Sequence, residues 1–293
     1  MFVAGLSPKT MEPYLDPKYF PIHQIRVLTP EEEKVGMEFY QTHWEEFIVH
    51  IWEVRHTLDD LWQSGTSQRL NQEDVERICS WVKVEKQRSE QKFPFPKGYC
   101  FHITNIFEKF LKMKVQGNEP WVQPFKDYLY KGGFFRKVWG VDKEKYFQTA
   151  LQIGPVILDI SYNTVEILQA KVDWQLLGPK CVFREVRDLE DYLSIKSTYQ
   201  GIDSYHNTVF LEIAEEYPII YYDRTEDKFF LPLEQIFRVL HKKFLQQNLN
   251  KEPILYLGNQ LLQRLEKVKV LTIKERYRKE ILPGIIQKIL ISA

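Results

Sequence analysis

The sequence predicts an α+β protein in which helices flank a central antiparallel sheet. Three observations carry this expectation. Residues 29–87 repeat apolar side chains at helical spacing, residues 146–161 and 206–223 are rich in strand-forming residues, and proline and glycine clusters separate the blocks. The first third therefore reads as helical, the middle as mixed, and the region after Pro232 as helical again.

Residues 1–28 carry Pro8, Pro13, Pro17 and Pro21 among Tyr14, Tyr19 and Phe20, an extended arm laid over the body. At Thr29-Pro30-Glu31-Glu32 the pattern changes. Threonine at the N-cap, proline at the first helical position and glutamate at the third form a capping box. The helix that follows places Phe39, Trp44, Phe47, Ile51, Leu58 and Trp62 on one face and ends near Ser64-Gly65. A second helix starts at Asn71 and runs through Ile78, Trp81 and Val82 to about Gln87. Pro94 and Pro96 then force a loop, because each bars helix at itself and at the residue before it. Cys100 opens the next amphipathic run, Phe101 to Leu111, which places a cysteine at a helix N-terminus.

Tyr128 to Phe135 reads as a turn between aromatic segments. Tyr146–Ile153 and Val156–Ser161 are strands around Gly154-Pro155, Lys171–Pro179 is a loop, and Glu185–Ser194 is a short helix. A hairpin follows, His206–Ile213 and Tyr217–Asp223, joined by Ala214-Glu215-Glu216. The expected organisation is an arm over 1–28, a helical subdomain over 29–92 and an α+β domain with inserted elements over 93–293.

Composition narrows the function classes. Basic and acidic residues balance at 40 each, which gives no broad attraction for nucleic acid or an anionic membrane. Lys267 to Lys279 is the most basic stretch, and Glu275 and Glu280 break it, so it reads as a solvated surface. Three scattered cysteines, Cys79, Cys100 and Cys181, suit a reducing compartment rather than a disulfide framework or a zinc site. The N-terminus lacks signal-peptide character, and no stretch approaches the ~18 apolar residues of a membrane span. The expectation is a cytoplasmic protein with no membrane contact, no nucleic acid, no metal and no cofactor. The aromatic content of 14% favours large cores or an aromatic groove that holds a ligand or peptide.

Cys100 carries the functional expectation. A cysteine nucleophile works as the thiolate, and a free thiol has a pKa of about 8.5, so it needs activation at neutral pH. A helix N-terminus supplies one device and an adjacent imidazole a second. Gly98 permits a tight entry to the helix and close approach of a substrate, and amides near the helix start suit an oxyanion. Counting outward from the turn at 214–216, His206 and Asp223 fall nearly opposite each other on the hairpin. An aspartate there would orient the imidazole and aim it at the thiol.

Cysteine opening a helix after G-x-C (Gly98, Cys100), histidine on one strand (His206) and aspartate on the next (Asp223) resemble the transglutaminase-like branch of papain-fold enzymes. The resemblance covers Phe93–Leu111 and Ser204–Arg224. It implies acyl chemistry of hydrolase, deamidase, transglutaminase or acyltransferase type, on a peptide, a protein or a small amide or thioester. Phe101 stands where transglutaminases commonly carry tryptophan, and the separation of 106 positions from Cys100 to His206 requires inserted elements.

Other residues compete for roles. Asp159, an acid inside an apolar strand, needs a partner and rivals Asp223 for orienting a histidine. His102 points to another side of the helix from Cys100 but can line the same cleft, and Tyr99 and Tyr205 are candidate walls. His43, Glu46, His50 and Glu53 share a face of the first helix, but no second E-x-x-H unit accompanies them, which favours a solvated face over a di-iron site. The opposing functional class is a non-catalytic protein- or peptide-binding module with an aromatic-rich groove.

Overall fold

A computed structural model describes residues 24–89, 94–206, 219–225 and 228–230. Most of the N-terminal arm, the turn at 214–216, the helices expected after Pro232 and the basic stretch Lys267–Lys279 lie outside the described residues. The chain divides into two compact units, one ending at Glu185 and one beginning at Val186.

The first unit opens with α1 (Pro30–Gln63). Its capping box forms as the sequence predicts: Thr29 Oγ1 accepts from the Glu32 amide at 3.2 Å, and Glu32 accepts from the Thr29 amide at 3.0 Å. Phe39, Phe47, Ile51, Leu58 and Trp62 turn inward as one stripe. A fully buried side chain such as Ile51 or Leu58 stabilises by about 1.5–3 kcal/mol relative to exposure. Helix α2 (Gln72–Arg88) is capped by Asn71, which accepts from the Asp74 amide at 3.0 Å. Acids in its first turn and Lys86 and Arg88 in its last oppose the helix dipole. Helix α3 (Cys100–Gln116) follows the proline loop, and α4 (Gln123–Tyr130) follows a 3₁₀ turn at Pro120–Val122.

Five strands complete this unit: β1 (Phe135–Asp142), β2 (Tyr146–Ile153), β3 (Val156–Asp159), β4 (Asp173–Leu176) and β5 (Phe183–Arg184). They form a curled antiparallel sheet in the order β4-β3-β2-β1-β5. The curl brings the chain ahead of β5 back to β4, where the Val182 amide donates to Gln175 Oε1 at 2.8 Å. Every residue of β2 is buried. Leu151 and Ile153 join the helical core, while Ala150 joins Val138, Ile157 and Phe183 in a smaller core on the other face. Ile25 packs against that smaller core, and Gln152 holds both backbone groups of Arg26.

Gly36 sets how closely α1 approaches the sheet. A Cβ there would lie 2.2 Å from Pro155 Cδ, inside van der Waals contact, so glycine admits the β2–β3 turn. The α+β class, the helical first third and the central antiparallel sheet match the expectation. The helical residues share a compact unit with this sheet, a unit that runs from Ile22 to Glu185. The physical reason is that α1, α2 and α3 bury their apolar faces in one core with β2 and β3. Strand β4 occupies part of the span expected to be a loop. Its residues are half-exposed or exposed, so the sequence shows no alternation, and its pairing with β3 defines it.

In the second unit, α5 (Leu189–Gln200) is capped by Asp188, which accepts from the Asp191 amide at 2.8 Å. It begins four residues later than the sequence suggests and stops at Gly201, whose φ of 69° turns the chain. Then β6 (Ile202–His206), β7 (Ile219–Asp223) and β8 (Lys228–Phe230) form an antiparallel sheet in that order. The register corrects the hairpin expectation. Asp223 lies opposite Ile202, and His206 lies opposite Ile219. Four residues of strand, about 13 Å, therefore separate the levels of His206 and Asp223. The strand also starts ahead of the apolar pattern, at Ile202, directly after Gly201. Polar Asp203 and Ser204 mask that start. Asp203 accepts from Ser197 Oγ at 2.8 Å, which ties the strand to α5.

Candidate functional site

The approach to Cys100 is built from aromatic packing and one left-handed glycine. Phe95 stacks on Trp62 with centroids 4.7 Å apart, and Tyr99 meets both rings edge-on. Gly98 has φ 80°, a conformation that glycine adopts without a Cβ clash, and its amide donates to the Thr164 carbonyl at 3.0 Å. Tyr99 is the N-cap of α3 and offers no side-chain cap, so Cys100 stands at the first helical position as predicted.

The thiol rests on β2. Cys100 Sγ lies 3.9 Å from Thr149 Oγ1 and donates to it, and one turn later Thr104 Oγ1 donates to the Thr149 carbonyl at 3.1 Å. Cys100 is half-buried as a residue, yet its sulfur is desolvated. Burial pushes the thiol pKa up; the Thr149 hydrogen bonds and the Phe101 amide oppose this, and the charge of Asp159 adds to it. Burial is the largest of these effects, and the net direction is upward, toward the protonated thiol.

Around that contact lies a buried polar shelf. Asp159 accepts from Gln148 Nε2 at 2.8 Å, from the Ser161 amide at 2.8 Å and from Ser161 Oγ at 3.0 Å. Burial raises its carboxyl to about 7 in spite of these donors. The shelf continues to α1 through Arg55, which is wholly buried. Its guanidinium donates to the Ile160 carbonyl at 2.7 Å and to Asn163 Oδ1 at 3.0 Å, and it pairs with Asp59, which also pairs with Lys171 at 2.7 Å. These bonds fix the strand end and turn that carry Asp159, Ser161 and Thr164.

The other predicted residues have different surroundings. His102 is buried, with Nδ1 2.8 Å from Glu85 Oε2, so it ties α3 to α2 instead of lining a cleft. Burial alone would raise the Glu85 carboxyl, but the His102 hydrogen bond and the charges of His102, Lys109 and Arg88 outweigh it and hold the pKa below the usual range. Tyr99 is packed between Trp62, Phe95 and His102. His206, Asp223 and Tyr205 belong to the second unit. His206 pairs through its backbone with Ile219. Asp223 Oδ1 accepts from the Thr225 amide at 2.8 Å, a local turn contact, and Tyr205 pairs across the strand with Ile220.

The histidines of α1 are dispersed: His50 stacks on Trp121, His56 meets Lys171 at 3.2 Å, and His43 lies beside Phe39. Among the described residues, no group of three or more His, Cys, Asp or Glu side chains is placed to hold a metal. No helix among them is long and apolar enough to cross a membrane. Sequence reasoning missed Thr149, Gln148 and Ser161. The signal was present in Tyr146–Ile153, where Gln148, Thr149 and Gln152 interrupt an otherwise apolar strand whose polar groups must find buried partners.

No protein-family model, curated protein or solved structure matches this chain. The site is therefore read from its own residues.

Proposed function

We propose that this protein carries out thiol-dependent acyl transfer at Cys100 on a peptide, protein or small amide or thioester. The observation that carries the reading is the placement of Cys100 at the first position of α3, on a helix end without a side-chain cap, with its sulfur against Thr149. Such a thiol can attack a carbonyl carbon while the first-turn amides receive the developing oxyanion. Because burial holds the thiol protonated, the attack needs a general base instead of a standing thiolate. The transglutaminase-like resemblance implies a histidine for that role, and His206 is the residue that matches it in the sequence. The base takes the thiol proton and returns it to the amine or thiol that leaves as the substrate's acyl bond breaks; water or an amine then resolves the acyl-enzyme, giving hydrolysis or transfer. Asp223, level with Ile202, is given no part in orienting the imidazole.

The test is iodoacetamide labelling across pH with peptide mapping. The reading expects Cys100 to react faster than Cys79 and Cys181 at pH 7–8, and His206→Ala to abolish that advantage. Equal, slow labelling of all three cysteines, unchanged in His206→Ala, would reject it and leave Cys100 as a structural thiol.

A further inference from the structure

Thr149 is the meeting point of two buried groups that can each carry a negative charge. Cys100 reaches its side chain, with Sγ 3.9 Å from Oγ1. Asp159 reaches its backbone through Ser161, whose hydroxyl lies 3.0 Å from Asp159 Oδ1 and 3.3 Å from the Thr149 carbonyl oxygen. The thiol and the carboxylate are therefore held on either side of one residue.

Neutral donors bond the carboxylate: the amide and hydroxyl of Ser161, and the Gln148 side chain. The charged groups that face it come from other elements. Asp142 on β1 adds repulsion, and Asp173 on β4 stands directly opposite in the register. Arg55 on α1 feels the Asp159 charge, but its leading partner is Asp59, with which Lys171 also pairs. At the sulfur the outcome is negative: after burial, Asp159 is the largest effect that opposes ionisation of the Cys100 thiol.

We infer that Asp159 is a specificity residue of the Cys100 site, where it disfavours a second negative charge, whether on the sulfur or on an incoming acyl donor. Like charges repel strongly in a buried setting because little water lies between them. The donors that suit such a site are uncharged amides and thioesters, and carboxylate-bearing ones are turned away. The selection grows as Asp159 ionises, around its pKa of about 7. The inference takes from the proposed function only that Cys100 is the reacting group.

The test is alkylation of the full chain by iodoacetamide and by iodoacetate, mapped to Cys100. The ratio of the two rates cancels the thiolate fraction and the access common to both reagents, and leaves the local charge. The ratio of amide to acid should rise about threefold or more between pH 6 and pH 8. A packing role for Asp159 would leave it flat. Asp159→Asn keeps an oxygen for the Ser161 donors and should abolish the rise. Ser161→Ala removes a donor that lowers the Asp159 pKa and should move the rise to higher pH, which tests the assignment even where Asp159→Asn fails to fold. A flat ratio in the parent, a rise that survives in folded Asp159→Asn, or no alkylation of Cys100 by either reagent would overturn the inference. A rising ratio without acylation of Cys100 would sustain it and reject the acyl-transfer reading, and acylation with a flat ratio would do the reverse.

Discussion

Cys100 Sγ lies 3.9 Å from Thr149 Oγ1, and with the Thr104 hydrogen bond to the Thr149 carbonyl this contact joins the start of α3 to the middle of β2. The threonine accepts from the thiol and takes up part of the cost of burying it. Replacing it by valine keeps the shape and removes the acceptor. Thr149→Val should therefore raise the Cys100 pKa further and slow its alkylation at pH 8, with a stability loss on the order of 1 kcal/mol. Alkylation rates against pH, with a urea melt of the same variant, measure both effects.

Asp159 predicts a pH-dependent stability. Its folded pKa is about 7 against 3.8 for the free side chain, so the folded state holds a proton that the unfolded state has released. Stability from this group is full below about pH 4, falls as pH rises to 7 and is flat above. The span of the shift corresponds to roughly 4 kcal/mol, and Asp142, raised to about 6 by burial first, acts in the same direction. Glu85 has the opposite sign, and its contribution is lost only as pH falls below the ordinary carboxylate range. The melting temperature should drop between pH 5 and pH 8, and Asp159→Asn should remove most of that drop. A variant that keeps the full slope would show that Asp159 is not its source.

Arg55 is the buried cation that closes the shelf against α1. Removing it leaves Asp59 paired with Lys171 alone and takes this donor from Asn163 and the Ile160 carbonyl. Loss of one partner from a buried ion pair costs about 3–5 kcal/mol. Arg55→Ala should lose stability on that scale in denaturant titration, and Cys100 alkylation should accelerate as the shelf loosens.

Local rules read most of the first unit correctly. Thr29, Asn71 and the prolines at 94 and 96 act within one helical turn or one peptide, so their consequences are visible in a single sequence. Position-by-position burial in Tyr146–Ile153 was equally readable as strand. Strand β4 was not, because nothing in Asp173–Leu176 favours extension until β3 lies beside it. The site was legible only in part. Cys100 followed from a helix start, whereas its Thr149 partner depends on how a helix and a strand meet across 49 residues. The His206–Asp223 register failed because it was counted as equal arms about a turn at 214–216, whereas His206 pairs with Ile219 and Asp223 with Ile202.

The central claim is that Cys100 accepts an acyl group. It is tested most directly by incubating the protein with p-nitrophenyl acetate and mapping the acetyl mass by peptide mass spectrometry. The account predicts a stoichiometric burst of nitrophenolate, acetylation confined to Cys100, and loss of the burst in Cys100→Ser. Acetylation spread evenly over Cys79, Cys100 and Cys181, with no burst, would contradict it.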